Sequence, residues 1–212
     1  MKRFRIKYAK RDSLKYTSGL EVQKLWERSL RRAKLPVAYS QGYHPQARLN
    51  QAAPLPLGFT STAEWVDIWF EDACSQDILT GVLPGAMPSG IQILELAEIE
   101  LSTPTMQNNV ISVEYKVTIL QPVSPQDLEK KINAIQASDK IMRVRRQKEY
   151  DLRPLIEILS LQNHEDNLPE ITMRLSARPG ATGRPEEVLL AMDLDPFLSR
   201  IEKTDMFFSF GV

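Results

Sequence analysis

The stretch RFRIKYA, residues 3–9, alternates charged and apolar side chains with a period of two. Because successive side chains of a β-strand point to opposite faces, this alternation predicts a strand. Phe4, Ile6 and Tyr8 lie on its apolar face, and the opposite face is basic. This strand opens the order of elements from which the fold class follows.

A helix is predicted directly after this strand. Ser18 and Glu21 are three residues apart, which fits a capping box at a helix start, and Pro36 stops the helix. The apolar residues with helical spacing are Leu20, Leu25, Trp26, Leu30 and Ala33. The opposite face of the same helix carries Lys24, Arg28, Arg31, Arg32 and Lys34.

Four further elements follow in the first half of the chain. Short runs of apolar and β-branched residues predict strands at 37–39, 63–70 and 91–101, and Ser75 is placed to cap a helix that runs through residue 83. The resulting order is β-α-β-β-α-β, which is typical of the split βαβ or ferredoxin-like plan.

The second half repeats this order after a Thr/Pro/Asn-rich linker at 102–109. The predicted elements are a strand at 110–120, a helix from Ser124-Pro125 to 137, a strand at 140–150, a hairpin of 153–162 and 168–177 around NHEDN, a helix at 183–192 and a strand at 200–210. We therefore predict an α+β protein with two ferredoxin-like (βαββαβ) halves packed together, antiparallel sheets and helices on one face. The predicted domains are residues 1–104 and 105–212, the second with an extra strand.

Bulk composition is that of a globular protein, with 42% hydrophobic and 25% charged residues among 212. No apolar run approaches the roughly 18–20 residues that span a bilayer, and no signal peptide is recognisable. The single Cys74 cannot form an internal disulfide or hold a metal on its own. We expect a cytoplasmic protein without a membrane span, a metal or another cofactor.

Charge is distributed unevenly along a chain whose formal net charge is zero. Residues 1–48 contain 13 Lys/Arg and 3 Asp/Glu, whereas residues 49–110 contain 8 Asp/Glu and no Lys or Arg. Two interpretations fit this pattern. The basic block meets a polyanion such as RNA, or the acidic block folds back and pairs with it.

The stretch PVAYSQGYHPQARL, residues 36–49, concentrates the chemistry-bearing side chains. Gly42 permits a turn with positive φ, and Pro45 biases His44 towards an extended backbone. Tyrosine rings offer faces on which RNA bases stack, and a histidine near a ribose is able to act as an acid or base. In the alternative interpretation, Tyr39 belongs to the core, Tyr43 lies over the turn and His44 fixes the loop through a hydrogen bond. Catalysis by His44 is disfavoured because no partner base is visible in the same segment.

A second basic stretch, KIMRVRRQKEYDLRP at residues 140–154, is predicted to place Arg143 and Arg145 on one strand face. Met142, Val144 and Arg146 would share the other face. The basic face contacts an RNA backbone or is simply solvated. The candidate RNA-binding residues are Arg28, Arg31, Arg32, Tyr39, Ser40, Tyr43, His44, Arg48, Arg143 and Arg145.

Motifs for catalysis are missing from the sequence. There is no phosphate-binding glycine loop, no CxxC, no HExxH and no nucleophile elbow. His164 lies in an Asn/Glu/Asp-rich turn and is interpreted as a solvated loop residue. The chain has no complete catalytic or metal constellation, so we favour a non-catalytic role.

Four stretches resemble the radical SAM-linked protein family, a bacterial domain of unknown function encoded beside, or fused to, a cobalamin-binding-type radical SAM protein. They are ERSLRRAKLPVAYSQGYHPQARL, APLPLGFTSTAEWVDI, KEYDLRPLIEIL and GRPEEVLLAM. The resemblance implies a radical SAM partner and a role in RNA or ribosome modification. The family usually has a histidine where Gly19 stands and Pro-Lys-Ile-Ser at 46–49, which weakens any two-histidine site here. A CxxxCxxC cluster is absent, so the chain is not itself the radical enzyme.

Two alternative functions follow from other features. The chain also resembles, more weakly, the CRISPR-repeat-processing endoribonucleases, which pair ferredoxin-like folds; this would make it a metal-independent RNase using His44. The glycine-rich loop of those enzymes is missing near the C-terminus, where MFFSFGV holds one glycine. A third possibility is a protein-only scaffold that docks through the acidic block at 49–110.

Overall fold

The computed structural model of the protein describes residues 1–162 and 168–209. The predicted turn NHEDN, with His164, lies outside the described residues, as do residues 210–212. The chain divides into two compact units, Met1–Asn109 and Val110–Val212. The predicted domain boundary at 104/105 stays a prediction. Within the described ranges, none of the helices combines the length and apolar character that a membrane span needs.

The first unit is a four-stranded antiparallel sheet with two helices. Its elements are β1 Lys2–Lys10, α1 Gly19–Arg32, β2 Leu49–Gln51, β3 Thr60–Phe70, α2 Gln76–Ala86 and β4 Ile91–Ile99. The order across the sheet is β4-β1-β3-β2, with every neighbouring pair antiparallel. This is the ferredoxin-like arrangement, so the predicted fold class is confirmed for this unit.

The predicted strand at 37–39 is wrong in position. Val37 and Tyr39 each form only an isolated bridge, to Phe70 and Ala47 respectively. The chain turns back on itself between Ser40 and Gln46, so the segment after the turn occupies the edge of β3 and forms β2. The short run at residues 37–39, on which the predicted strand was based, gave no indication of this reversal.

The core of the first unit lies between one sheet face and both helices. Phe4, Ile6 and Tyr8 are buried there, as the alternation of β1 predicted. Trp26 of α1 packs edge-to-face on Tyr8, with ring centroids 5.1 Å apart. The other members of this core are Val22, Leu30, Val66, Ile68, Phe70, Leu79 and Leu83. The odd-numbered residues of β1 and β3 therefore lie on the opposite, polar face of the sheet.

The polar face of this sheet is covered by the stretch expected to be a linker. Asp67 is fully buried between Arg3 and Arg5, at N–O distances of 2.5 and 2.9 Å. The two guanidinium groups also donate hydrogen bonds to the main-chain carbonyls of Thr103 and Pro104. Residues 102–109 are thus fastened to the sheet as part of the first unit.

The second unit repeats the architecture with an inserted hairpin. Its elements are β5 Val110–Ile119, α3 Pro125–Ala137, β6 Met142–Arg145, β7 Lys148–Asp151, β8 Ile156–Gln162, β9 Glu170–Arg178, β10 Ala181–Thr182, α4 Pro185–Ala191 and β11 Ser199–Phe208. The main sheet has the antiparallel order β8-β9-β5-β11, and β10 pairs with the end of β9. Ser124 caps α3 as predicted, with Pro125 in its first turn.

The predicted single strand at 140–150 is wrong, because this stretch is the separate two-stranded hairpin β6–β7. Arg146 and Gln147 form its turn with φ angles of 48° and 63°. Arg146 therefore does not share a strand face with Met142 and Val144. The usual Asn-Gly or Asp-Gly signal of such a turn is missing from the sequence, so the reversal was not recognisable.

Candidate nucleic-acid interface

Four of the five basic side chains of β1 are paired with the acidic block of the sequence. Arg3 and Arg5 share Asp67, and Lys2 and Lys7 reach Glu98 and Glu95, each at 3.3 Å. For this part of the basic block, the interpretation of internal pairing is correct. These side chains contribute to folding and are already matched by acidic partners.

The basic side chains of α1 have a different environment. Lys24, Arg28, Arg31 and Arg32 are exposed, and no Asp or Glu among residues 1–162 and 168–209 lies within 4 Å of their charged nitrogens. Arg32 donates only a 3.4 Å hydrogen bond to the carbonyl of Ala86. Part of the positive charge of the N-terminal block is therefore not matched by an acid within 4 Å among the described residues.

Lys24, Arg28 and Arg32, here named the α1 stripe, recur every four residues and share one helix face. They line a groove of about 490 Å³ together with Thr17, Glu21, Leu25, Ser29 and Pro88. The carboxylate of Glu21 accepts a hydrogen bond from the Ser18 main-chain N–H at 2.6 Å. This bond and that from the Ser18 side chain lower the pKa of Glu21. The acid at the groove is thus engaged by the helix cap.

Residues 36–48, here named the Tyr43 loop, form a narrow projection held by main-chain hydrogen bonds. At its base, Ala38 N–H donates to the Trp69 carbonyl and Arg48 N–H to the Ala38 carbonyl, at 2.9 and 2.8 Å. Higher up, the Ser40 N–H donates to the Gln46 carbonyl, and the Ser40 hydroxyl accepts from the Gln46 N–H at 3.0 Å. Ser40 therefore closes the loop, a role that the sequence did not indicate.

The tip of the Tyr43 loop presents aromatic rings to solvent. Gly42 has φ 131°, the positive value expected for it. Tyr43 is fully exposed at 102%, and Tyr39 is 48% exposed and so does not belong to the core. His44 is exposed as well, and no described residue forms a hydrogen bond or ion pair with its side chain. Both rings are accessible for stacking. No described side chain orients His44 as a general base.

Arg48 is held at the base of this loop by an aromatic contact. Its guanidinium lies over the ring of Trp69, 5.2 Å from the centroid, and Arg3 lies 4.7 Å from the same ring. Arg48 remains exposed, with its Nη1 3.2 Å from the sulfur of Met1. Trp69 is a positioning residue that sequence reasoning missed, although its place on the polar face of β3 follows from the strand period.

The two arginines proposed in the second unit differ in their surroundings. Arg143 forms a 2.9 Å ion pair with Glu187 of α4, and its side chain is largely covered. Arg145, in contrast, has no acid within 4 Å among the described residues. Burial and the charge of Glu187 raise the pKa of the neighbouring Tyr150. Arg143 therefore anchors the hairpin, and Arg145 is the one of the two whose charge is unmatched.

In the described ranges, no group of three His, Cys, Asp or Glu side chains is close enough together to hold a metal ion. Cys74 is buried, and burial raises the pKa of its thiol. A thiol kept protonated in this way is a poor nucleophile.

Sequence comparison now places the chain in a family. Residues 3–185 match the family described as "Uncharacterized protein conserved in bacteria (DUF2344)". The chain belongs to DUF2344. No curated protein matches this DUF2344 chain in sequence.

Solved structures resemble the fold at very low sequence identity. A Cbf5-Nop10-Gar1 complex contains a chain with TM-score 0.53 and 8% identity, covering 98% of the DUF2344 chain and 50% of its own length. An H/ACA RNP bound to a substrate RNA containing 2′-deoxyuridine gives TM-score 0.45 and 9% identity, with coverages of 95% and 46%. The DUF2344 chain thus spans about half the length of these solved chains. The first likeness supports the fold class.

Proposed function

We propose that this protein is a non-catalytic accessory protein that binds RNA, or a ribosomal or tRNA substrate, for modification by a radical SAM enzyme. The proposal rests on a difference within the basic block, residues 1–48: some of its cations have acidic partners and others have none within 4 Å in the described part of the chain. Asp67, Glu95 and Glu98 match Lys2, Arg3, Arg5 and Lys7 of β1, whereas Lys24, Arg28, Arg31 and Arg32 of α1 are exposed without an acidic neighbour within 4 Å in the described ranges.

The α1 stripe offers a phosphate backbone a row of neighbouring cations on one helix face. Three cations on one helix face, four residues apart, repeat about every 6 Å along the helix axis. Phosphate contacts of this kind release counterions, so binding weakens steeply as salt increases. Arg32, in the last turn of α1, also complements the helix dipole, but that effect does not account for Lys24 or Arg28.

The Tyr43 loop supplies the second element of recognition. Exposed Tyr39 and Tyr43 rings stand on a hairpin-like projection whose backbone is fixed by the Ser40–Gln46 closure. Stacking of a base on an aromatic side chain contributes ~1–3 kcal/mol. Because the backbone of the loop is already fastened, binding costs little main-chain entropy, and a tyrosine side chain has only two χ angles to order.

The radical SAM partner is proposed from the resemblance of the four sequence stretches to the radical SAM-linked family. With one cysteine in the sequence, the chain cannot ligate an iron–sulfur cluster by itself, so the chemistry would belong to the partner. In this division of labour the present chain holds the substrate. Capture of a radical SAM protein together with RNA by the tagged chain supports the full proposal, and capture of that protein without RNA supports the scaffold alternative.

The RNA component is tested by fluorescence anisotropy with a labelled single-stranded RNA of about 16 nucleotides. The variant Arg28→Ala/Arg32→Ala is compared with Lys130→Ala/Arg200→Ala, which removes the same charge from exposed positions of the second unit. We expect the first variant to reduce the slope of log K against log salt by about 1.4, that is roughly 0.7 per lost contact. The control should keep the slope of the natural protein.

Two results would overturn the RNA proposal. One is no binding by the natural protein at about 50 mM salt, where phosphate contacts are strongest. The other is an equal loss in both variants, which would mean that only the net charge matters. Cleavage of the RNA that disappears in His44→Ala would instead favour the endoribonuclease alternative.

A further inference from the structure

The second unit contains a cationic cleft, distinct from the groove of α1. It has a volume of about 550 Å³ and lies between the hairpin β6–β7 and the turn from β9 to β10. The residues that line this hairpin cleft are Arg145, Arg146, Lys148, Tyr150, Asp151, Leu155, Gly180, Ala181 and Thr182. A volume of this size accommodates a nucleotide.

One face of the hairpin concentrates positive charge in an unfavourable way. Arg145 stands directly opposite Lys148, and Arg143 stands opposite Tyr150. Like charges in such cross-strand pairs repel each other. Arg143 is neutralised by Glu187, but no acid in the described ranges lies within 4 Å of the charged nitrogens of Arg145 or Lys148. An anion between these two side chains would relieve the repulsion.

The turn of the same hairpin also places two residues in unfavourable backbone conformations. Arg146 and Gln147 both adopt positive φ, a region that side chains with a Cβ seldom occupy. Two local conflicts therefore meet at one short element that is not part of the main sheet. Natural sequences tolerate such conflicts mainly where a function requires them.

The remaining walls of the cleft leave space for a small anion. Gly180 has φ 76°, and a Cβ placed on it would meet no heavy atom within 4 Å. Asp151 is the acid among the lining residues, and its Oδ1 already accepts hydrogen bonds from the N–H groups of Ile141 and Arg153, at 2.9 and 3.1 Å. Arginine and lysine outnumber this acid around the cleft by three to one.

We propose that the hairpin cleft binds a phosphate group of a nucleotide, with Arg145, Arg146 and Lys148 as its ligands and Tyr150 beside the nucleoside. This inference deepens the proposed function, because RNA would supply the nucleotide. It adds a phosphate contact in the second unit to those of the α1 stripe. Arg143 takes no direct part, since Glu187 occupies its guanidinium.

The proposal is tested with the full chain by ¹⁵N–¹H NMR, titrating adenosine 5′-monophosphate and, separately, adenosine. We expect the monophosphate to shift the amide signals of Lys148, Gly180 and Thr182 with saturation, whereas adenosine leaves them in place. Arg145→Ala/Lys148→Ala should abolish these shifts, and Lys130→Ala/Arg200→Ala should retain them. In the anisotropy assay, the cleft variant should lower RNA affinity about tenfold and the salt slope by about 1.4.

The outcomes separate this inference from the proposed function. RNA binding that is unchanged in the cleft variant, with no monophosphate shifts in the natural protein, overturns the cleft and leaves the α1 stripe intact. Monophosphate shifts without RNA binding overturn the RNA proposal and support a phosphate site for free nucleotides. Equal shifts with adenosine and the monophosphate would show that the cations are not the ligands, which also overturns the inference.

Discussion

At the scale of single residues, the buried charges of the first unit are committed to folding. Asp67 is completely buried and its two oxygens accept from Arg3 and Arg5, so removing it leaves two cations buried without their acid. Loss of one partner of a buried ion pair costs far more than the pair itself contributes. The residue is therefore a sensitive probe of stability that has no direct part in binding.

We predict that Asp67→Ala lowers the free energy of unfolding by roughly 3–5 kcal/mol, as measured by urea denaturation. Glu98→Ala is the matched control, because Glu98 also faces β1 but pairs with Lys2 at the surface. Its expected effect is below about 1 kcal/mol. Similar losses in both variants would contradict the assignment of Asp67 as the critical acid.

For Tyr43 we predict the opposite of Asp67, an effect on binding without an effect on stability. Its side chain is fully exposed, so Tyr43→Ala disturbs no packing. We expect unchanged stability and an RNA affinity reduced by ~1–3 kcal/mol, roughly 5- to 150-fold in Kd. Tyr16→Ala removes another exposed tyrosine of the same unit, outside the Tyr43 loop, and should leave the Kd unchanged. Anisotropy titrations measure both variants.

Local patterns in the sequence predicted part of this residue-scale detail. The period of two correctly placed Phe4, Ile6 and Tyr8 in the core, and Gly42 adopts the positive φ expected of it. The ion pair of Arg143 was beyond such reasoning, because its partner Glu187 is 44 residues away in the chain. Tertiary contacts with acids that are distant in the chain decide which cations have partners. Such contacts leave no local pattern in a single sequence.

At the scale of elements, α1 shows the predicted capping box in full. Ser18 accepts from the Glu21 N–H, and Glu21 accepts from the Ser18 N–H. Ser18→Ala is expected to cost about 1 kcal/mol of stability. The helix that carries the α1 stripe thus has a defined beginning, and its buried Val22, Trp26 and Leu30 leave the basic face outward.

The same cap predicts a pH dependence. Hydrogen bonds from Ser18 lower the pKa of Glu21 in the folded protein, so its contribution is present above the ordinary carboxyl pKa and is lost as pH falls through the lowered value. Glu21→Gln should therefore be less stable than the natural protein at neutral pH, and the difference should shrink as the solution becomes acidic. Thermal unfolding at a series of pH values measures it; a difference independent of pH would contradict the role of the charge.

The hairpin β6–β7 gives a prediction at the same scale. Gln147 occupies a positive-φ position that glycine adopts without steric cost. We expect Gln147→Gly to raise the free energy of unfolding by up to about 1 kcal/mol, because relief of strain exceeds the entropy that glycine adds to the unfolded chain. Ser138→Gly at the end of α3, where φ is −78°, is the control and should not stabilise. Urea denaturation compares the two variants.

At the scale of the whole molecule, the overall composition conceals the uneven distribution of charge. The formal net charge is zero and the sequence pI is about 6.8, values that give no sign of a polyanion-binding protein. The βαββαβ plan was predictable in both halves, but β2 and the hairpin β6–β7 were not, because neither stretch carries a periodicity or a turn signal that marks it. Folding then pairs Lys2, Arg3, Arg5 and Lys7 with acids. The cations of the α1 stripe and of the hairpin cleft have no acid within 4 Å among the described residues, a separation that no average over the chain records.

Retention on a heparin column tests whether this local charge, and not the net charge, governs binding. At pH 8 the natural protein lies above its pI and is negative overall, yet we expect it to be retained, because exposed cations act within a Debye length of about 8 Å in physiological salt. Arg28→Ala/Arg32→Ala and Arg145→Ala/Lys148→Ala should elute at lower salt. Lys130→Ala/Arg200→Ala has the same net charge as these variants and should elute with the natural protein. If all three variants shifted equally, retention would follow net charge, and the assignment of the α1 stripe and the hairpin cleft as the polyanion contacts would be wrong.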